Sequence, residues 1–170
     1  MSKIFLTQFL SELSFHFNLE SVPHSSHLKS IAICENGFEF PLVIHDLPDG
    51  LVVVNQLFKF WVPEYNFLEE ESKIMNNFFL LLRAIMDQFP IEFRKEDRAE
   101  LLELVRCSFK DREIPKEFYK FDLTTSSLDT EVVIKFKSRV FRIPGYLLLS
   151  EEFKVLDAFS DYISSISDLF

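Results

Sequence analysis

The histidines are the first side chains in this sequence that could bind a metal. His24 and His27 lie three residues apart in a stretch that also holds serines and Pro23. Two such ligands chelate weakly, and a metal site needs a third or fourth ligand at a defined spacing. We therefore interpret both as surface histidines, interpret His16 as flanking a helix, and expect no metal.

The two cysteines, Cys34 and Cys107, are candidates for nucleophilic chemistry. A catalytic thiolate needs a base or a positive field beside it. Arg106 adjoins Cys107 in sequence, but on a helix it would point about 100° away. We therefore interpret both cysteines as small apolar side chains, and two cysteines do not make the disulfide framework of a small secreted domain.

Sequence motifs for catalysis are missing as well. There is no Gly-x-Ser-x-Gly, no glycine-rich phosphate loop, no His-Glu-x-x-His and no Cys-x-x-Cys. The carboxylate run at residues 69–71 has the position of an acidic first helical turn, where the helix dipole favours negative charge. We predict a protein that is not an enzyme and has no catalytic, cofactor-binding or metal-binding residues.

Basic side chains are concentrated in one predicted strand region. A solvated sheet edge that resists aggregation explains them, and a docking patch for an acidic partner is the alternative. The residues are Lys135, Lys137, Arg139 and Arg142.

Charge and composition narrow the class of protein. The net charge is −9, which argues against nucleic-acid binding because phosphate contacts need a basic face. Hydrophobic residues make up 48% of the 170 residues, with 21 phenylalanines, enough to bury a core. No apolar run is long enough to span a membrane, and the first residues lack a signal-peptide pattern. We expect a cytoplasmic protein without membrane insertion.

Hydrophobic periodicity predicts the elements that position these residues. Apolar side chains recurring every three or four residues, with capping residues and prolines at the ends, predict helices over residues 2–19, 66–89, 97–109 and 150–169. Alternation and β-branched runs predict strands over residues 28–35, 38–45, 51–58 and 131–143. Residues 20–26 and 114–128 are predicted to be loops, and Ser150 to cap the last helix.

Turn residues connect the three early strands into a meander. Asn36-Gly37 is a strong hairpin signal, and Pro48-Asp49-Gly50 predicts a second turn. Pro41 has no backbone N–H, so the middle strand should carry a bulge there or be unpaired on one side. Residues 131–143 form either a hairpin that turns near Lys137-Ser138 or one bent strand.

The order of elements predicts the fold class. The sequence reads α-β-β-β-α-(α)-β-β-α, which favours an α+β fold with a twisted antiparallel sheet of about five strands and helices on one face. We predict a single domain over residues 1–170, in which residues 65–128 form a helical insertion or an extended middle region.

The layout resembles the class I type III secretion chaperones, the Tir-chaperone-like family. The similarity rests on the amphipathic first helix, on the meander IAICENGFEFPLVIHDLPDGLVVVNQLF and on the ending RIPGYLLLSEEFKVLDAFSDYISSISDLF. It covers roughly residues 2–60 and 130–169, by order and pattern. The middle region is longer than in the family, and the glycine-rich link common before the late strands is missing.

The resemblance implies a homodimer that holds an extended segment of a secreted effector or translocator protein. On this hypothesis the candidate client-binding residues are Leu6, Leu10, Phe38, Phe40 and Val43. The candidate dimer-interface residues are Trp61, Phe78 and Leu82. A sheet edge would supply hydrogen bonds to the client, and pockets for alternate side chains would supply selectivity.

Two other functions fit the sequence. The first is an acidic inhibitor or immunity-type protein that blocks a basic enzyme or toxin, with residues 69–71 as the contact. The second is a small enzyme whose cleft the sequence does not reveal.

Overall fold

The computed structural model describes residues 2–22, 28–35, 37–64, 72–89, 98–115, 121–125, 130–136 and 138–168. The helices are α1 (Ser2–His16), α2 (Ser72–Met86), α3 (Arg98–Asp111), α4 (Gly145–Leu148) and α5 (Lys154–Ser167). The strands are β1 (Leu19–Val22), β2 (Leu28–Glu35), β3 (Phe38–Leu47), β4 (Gly50–Val54), β5 (Lys59–Pro63), β6 (Phe121–Thr125), β7 (Thr130–Phe136) and β8 (Arg139–Pro144).

The chain forms two compact units, Met1–Met75 and Asn76–Phe170, and the boundary falls inside α2. Within each unit, consecutive strands pair antiparallel, which confirms the α+β class with antiparallel pairing. The described strands outnumber the five that we predicted. That residues 1–170 fold as one domain stays a prediction, and the middle region 65–128 contains α2, α3 and β6.

The first unit is a five-stranded meander with α1 against β3 and β4. Glu35 pairs with Phe38, so two residues connect these strands as predicted, and Gly37 has a positive φ. Asn36, the other predicted turn residue, lies outside the described residues. Leu47 pairs with Gly50, which confirms the second turn. No residue is inserted into the register between β2 and β3 or between β3 and β4.

Two strands of the first unit lie where the sequence predicted none. α1 ends at His16, and β1 forms in the predicted loop because it pairs with residues 30–33 of β2. The predicted strand 51–58 is interrupted after Val54. There the side-chain oxygen of Asn55 accepts a hydrogen bond from the Leu57 amide at 2.9 Å, which turns the chain into β5.

The environment of Pro41 decides between the two alternatives for β3. Pro41 pairs with Ala32 of β2 in unbroken register, so the strand has no bulge there. The pairing with β4 begins only at Val43, and on that side the Asn55 side-chain amide donates to the Pro41 carbonyl at 2.5 Å. The strand is therefore left unpaired on one side at the proline, as the second alternative predicted.

The core of the first unit lies between α1 and one face of the meander. α1 buries a stripe spaced four residues apart, as predicted, with Phe9 and Leu13 fully buried. Strand residues that alternate along β3 supply the other side, with Phe40, Leu42 and Ile44 each at most 3% exposed. The run Leu51–Val53 of β4 is buried on both faces, as its uninterrupted apolar character predicted.

The second unit contains α3, the strands β6 to β8, α4 and α5. Phe136 pairs with Arg139, so residues 131–143 are a hairpin rather than one bent strand. β6 lies in the region predicted to be irregular and pairs with β7 in antiparallel register. Tyr162 of α5 is fully buried, and its ring lies 5.4 Å from that of Phe78 and 6.5 Å from that of Phe141.

The start of the last helix differs from the prediction. The Ser150 hydroxyl donates to the Leu147 carbonyl at 2.5 Å, so it closes the end of α4 and does not cap α5. A 3₁₀ turn, Glu151–Phe153, follows, and Phe153 stands at the N-terminus of α5 without a side-chain capping bond. Glu152 and Phe153 both have left-handed φ values, 56° and 54°, which non-glycine residues adopt only with strain.

Candidate functional site

The hairpin that joins β2 and β3 meets the end of α1 at one end of the first unit. The Cys34 amide donates to the Asn18 carbonyl at 2.8 Å, so the chain that leaves α1 is hydrogen-bonded to the end of β2, next to the hairpin turn. Residues near position 15 and residues near position 38 therefore lie at the same end of the unit. We call this region the hairpin end.

Two phenylalanines are exposed at the hairpin end. Phe15 is 84% exposed and Phe38 is 44% exposed, whereas most large apolar side chains of the first unit are buried. Phe38 is a predicted client-binding residue. Phe15 was not predicted, although the signal exists: it lies two residues from Leu13, about 200° around a helix and so opposite the buried stripe.

The sheet face opposite the core carries a different set of side chains. Because successive strand residues point to opposite faces, Glu39, Pro41 and Val43 of β3 lie together on the face that Phe40 and Leu42 do not use. The strand register adds Cys34, which pairs with Glu39, and Glu20, which pairs with the neighbour of Pro41 in β2. We call Glu20, Cys34, Glu39, Pro41 and Val43 the outer face.

Two carboxylates and a thiol converge on the outer face. One ligand atom from each of Glu20, Cys34 and Glu39 lies within 4.8 Å of the others. The Cys34 thiol donates to the Glu20 carboxylate at 3.5 Å. Desolvation, this hydrogen bond and the negative charges of Glu20 and Glu39 raise the pKa of the Cys34 thiol, so it stays protonated near neutral pH.

The outer face is accessible and predominantly acidic. Glu20, Glu39 and Pro41 are exposed, and Cys34 and Val43 are partly exposed. Among the ion pairs that join described side chains, none engages Glu20 or Glu39. The outer face therefore attracts a positive charge to a place beside a strip of apolar side chains.

The predicted client-binding residues lie in different environments. Phe38 is exposed at the hairpin end, and Val43 is partly exposed on the outer face. Leu6 and Leu10 of α1 are half-buried. Phe40 is 3% exposed and stacks on Phe58, with 6.0 Å between the ring centroids, so its side chain belongs to the core.

The predicted dimer-interface residues are buried within the chain. Trp61 is 5% exposed, and Phe78 and Leu82 are fully buried. On α2 the apolar side chain that faces outward is instead Leu80, which is 61% exposed. These side chains therefore contribute to packing in the structure of the single chain.

The remaining candidates from the sequence do not converge. His24, His27 and the carboxylates 69–71 lie outside the described residues, so the contact predicted for an acidic inhibitor has no described geometry. Cys107 is exposed on α3, where a hydrogen bond to Glu103 is the largest of the effects that raise its pKa. Arg142 of the basic hairpin pairs with Glu131 at 3.0 Å.

No described helix is both long and apolar enough to cross a membrane.

Comparison with protein-family models, with curated proteins and with solved structures finds nothing that matches this chain.

Proposed function

We propose that this chain is a non-enzymatic binding protein of the cytoplasm that holds an extended segment of a secreted client, as type III secretion chaperones do. The single observation that carries the proposal is the exposure of Phe38, an apolar residue that the resemblance predicts to contact the client. Aromatic side chains are enriched at protein–protein interfaces relative to the rest of the protein surface.

The hairpin end and the outer face offer contacts of two kinds to such a segment, and along β3 they lie on opposite faces of the sheet because Phe38 alternates with Glu39. Phe15 and Phe38 supply apolar surface, and the outer face supplies Pro41 and Val43 beside two carboxylates. An extended segment presents side chains alternately to two sides, so it can use spaced apolar contacts without being folded. Held in this way, the client is kept unfolded and cannot aggregate.

Site-specific photo-crosslinking in the native host tests the proposal. Benzoylphenylalanine is introduced at Phe38 or Phe15, and the crosslinked protein is identified by mass spectrometry. Phe153 is the matched control, because it is 43% exposed, close to the 44% of Phe38, and lies in the second unit. We expect one secreted protein to crosslink through Phe38 and Phe15 but not through Phe153.

The identified client is then co-expressed with the chain. We expect a soluble complex with the wild type and aggregation of the client with the Phe38→Ser variant. Equal crosslinking from Phe153, or a client whose solubility is independent of Phe38, would argue against client binding at the hairpin end.

The homodimer implied by the resemblance is part of the same proposal. Multi-angle light scattering of the full chain measures its mass in solution. Leu80→Ser is the variant to compare, since Leu80 is the exposed apolar residue of α2. A monomeric mass for the wild type at all concentrations would remove the homodimer from the proposal.

A further inference from the structure

We propose that the outer face receives a basic segment of the client, in which a lysine or arginine side chain lies between Glu20 and Glu39 and apolar side chains lie on Pro41 and Val43. This inference rests on the proposed function and specifies its partner by chemistry. It makes the charge of the client segment, and not only its apolar content, a condition of binding.

Charge is the first argument. Glu20 and Glu39 carry their carboxylates to within 4.8 Å of a common neighbour, the Cys34 Sγ, on an exposed surface. No ion pair joins either of them to a described lysine, arginine or histidine. Two like charges this close repel each other, and a cation placed between them removes the repulsion. The chain as a whole is also negative, at −9, which steers basic segments toward it.

The state of Cys34 argues for an organic cation rather than a metal ion. Zinc and other soft metals bind cysteine as the thiolate. Here the thiol donates to Glu20 at 3.5 Å, and desolvation, this hydrogen bond and the negative charges of Glu20 and Glu39 raise the pKa of the thiol. An ammonium or guanidinium group needs only the two carboxylates, and it leaves the thiol protonated.

Spacing along β3 specifies the rest of the segment. Glu39, Pro41 and Val43 follow one another on one face at intervals of about 6.8 Å, the repeat of alternate strand residues. An extended chain that lies along them presents every second side chain to this face. The matching segment therefore has a basic residue followed, at the second and fourth positions after it, by apolar residues.

Fluorescence anisotropy with synthetic probes tests the inference on the full chain. The main probe is a short labelled peptide in which serine alternates with, in turn, lysine, valine and valine. A second probe carries glutamate in place of lysine, and a third keeps the lysine but has serine in place of the valines. EDTA is present in one series, because metal bridging would imitate a carboxylate-dependent interaction.

We expect the lysine-valine probe to bind roughly two- to fivefold more tightly than either control probe, the range that exposed ion pairs support. The variant E20Q/E39Q should lose the preference for the lysine probe over the glutamate probe, and added salt should weaken that preference in the wild type. The matched control is E12Q/E103Q, which removes two exposed carboxylates outside the outer face. It should bind like the wild type.

Three outcomes would overturn the inference. The first is equal binding of the lysine and glutamate probes, and the second is wild-type binding by the E20Q/E39Q variant. The third is loss of binding in EDTA, because that result would make the outer face a metal site. Any of these leaves the proposed function standing if the client still crosslinks through Phe38. Loss of that crosslink with the probe preference intact would instead contradict client binding at the hairpin end.

Discussion

Arg112 joins the end of α3 to the last helix through Asp161: its Nε donates to Asp161 Oδ1 at 2.6 Å. The same guanidinium donates through Nη1 to the Ser108 carbonyl at 3.1 Å and to the Ser108 hydroxyl at 2.9 Å. Nη2 lies 3.4 Å from Asp157 Oδ1. One side chain therefore links residues from two packed helices, in the geometry that a planar guanidinium allows and an ammonium does not.

Replacing this arginine should destabilise the second unit. For Arg112→Met we expect the free energy of unfolding to fall by roughly 1 to 3 kcal/mol, because several charge-assisted hydrogen bonds are lost together. Asp161→Asn should lower it by less, about 0.5 to 1 kcal/mol, since that side chain is 55% exposed and its charge is screened. Urea titration followed by circular dichroism measures both.

The control for Arg112 is Lys154→Met, which breaks an exposed pair with Glu152 at 3.7 Å. We expect a change within about 0.5 kcal/mol, as is usual for exposed pairs. If Lys154→Met and Arg112→Met destabilise the protein equally, the guanidinium network contributes nothing beyond a surface charge.

A buried hydroxyl pair lies beside this network. The Ser108 and Ser160 hydroxyl oxygens are 2.7 Å apart, and the two residues are 8% and 0% exposed. Removing one hydroxyl leaves the other without this partner, whereas removing both leaves no such mismatch. In a double-mutant cycle the effect of S108A/S160A should therefore be smaller than the sum of the single effects, by about 1 kcal/mol.

Ser165 provides the comparison for that cycle. It is also buried, but its hydroxyl donates to the Tyr162 carbonyl at 2.7 Å. The effects of Ser108→Ala and Ser165→Ala should add to within about 0.5 kcal/mol. Equal non-additivity in both pairs would show that the Ser108–Ser160 contact is not the cause.

The two hairpin glycines should respond differently to alanine. A Cβ at Gly50, whose φ is 146°, would collide with the Val62 carbonyl and lie 2.9 Å from the Glu64 amide nitrogen. At Gly37, whose φ is 79°, a Cβ meets no atom within 4 Å. We expect Gly37→Ala to lower the free energy of unfolding by about 1 to 2 kcal/mol through backbone strain alone. Gly50→Ala should lower it by more than about 3 kcal/mol, because steric overlap is added to strain. Similar losses in urea titrations of the two variants would contradict this reasoning.

The reactivity of Cys34 should report on the outer face. Glu20 and Glu39 stabilise the protonated thiol, so removing their charges lowers its pKa and raises the thiolate fraction at a given pH. In a C107S background, the rate of alkylation by iodoacetamide should rise with pH, and E20Q/E39Q should move this profile to lower pH. E12Q in the same background should leave it in place. An unmoved profile for E20Q/E39Q would mean that the carboxylates do not act on the thiol.

Strong local signals made much of the fold predictable. Asn36-Gly37 fixed the β2–β3 hairpin and with it the pairing of Cys34 with Glu39, because a two-residue turn sets the register. The three strands that were missed have weaker signals. β1 follows a helix after two residues and precedes Pro23, β5 follows a turn without glycine or proline, and β6 has a polar end. Each strand forms because it pairs with a neighbouring strand, and the hydrophobic periodicity of a short segment does not predict such pairing.

The candidate site was predictable only in part for the same reason. Phe38 was predicted to lie at the surface because Pro41 disturbs the pairing of its strand. The exposure of Phe15 could have been derived from the helical angle to Leu13. The burial of Phe40 depends on which face of β3 α1 covers. The approach of Glu20 to Cys34 depends on β1, so no local pattern in the sequence could place those two residues together.

The pairing order of the first unit has a consequence for biosynthesis. From β1 to β5, each strand pairs with the one before it in the chain. Contacts between sequence neighbours close short loops, which favours rapid folding. As the chain leaves the ribosome, every new strand therefore finds its partner already outside, so the meander can be assembled one strand at a time while the second half of the protein is still being translated.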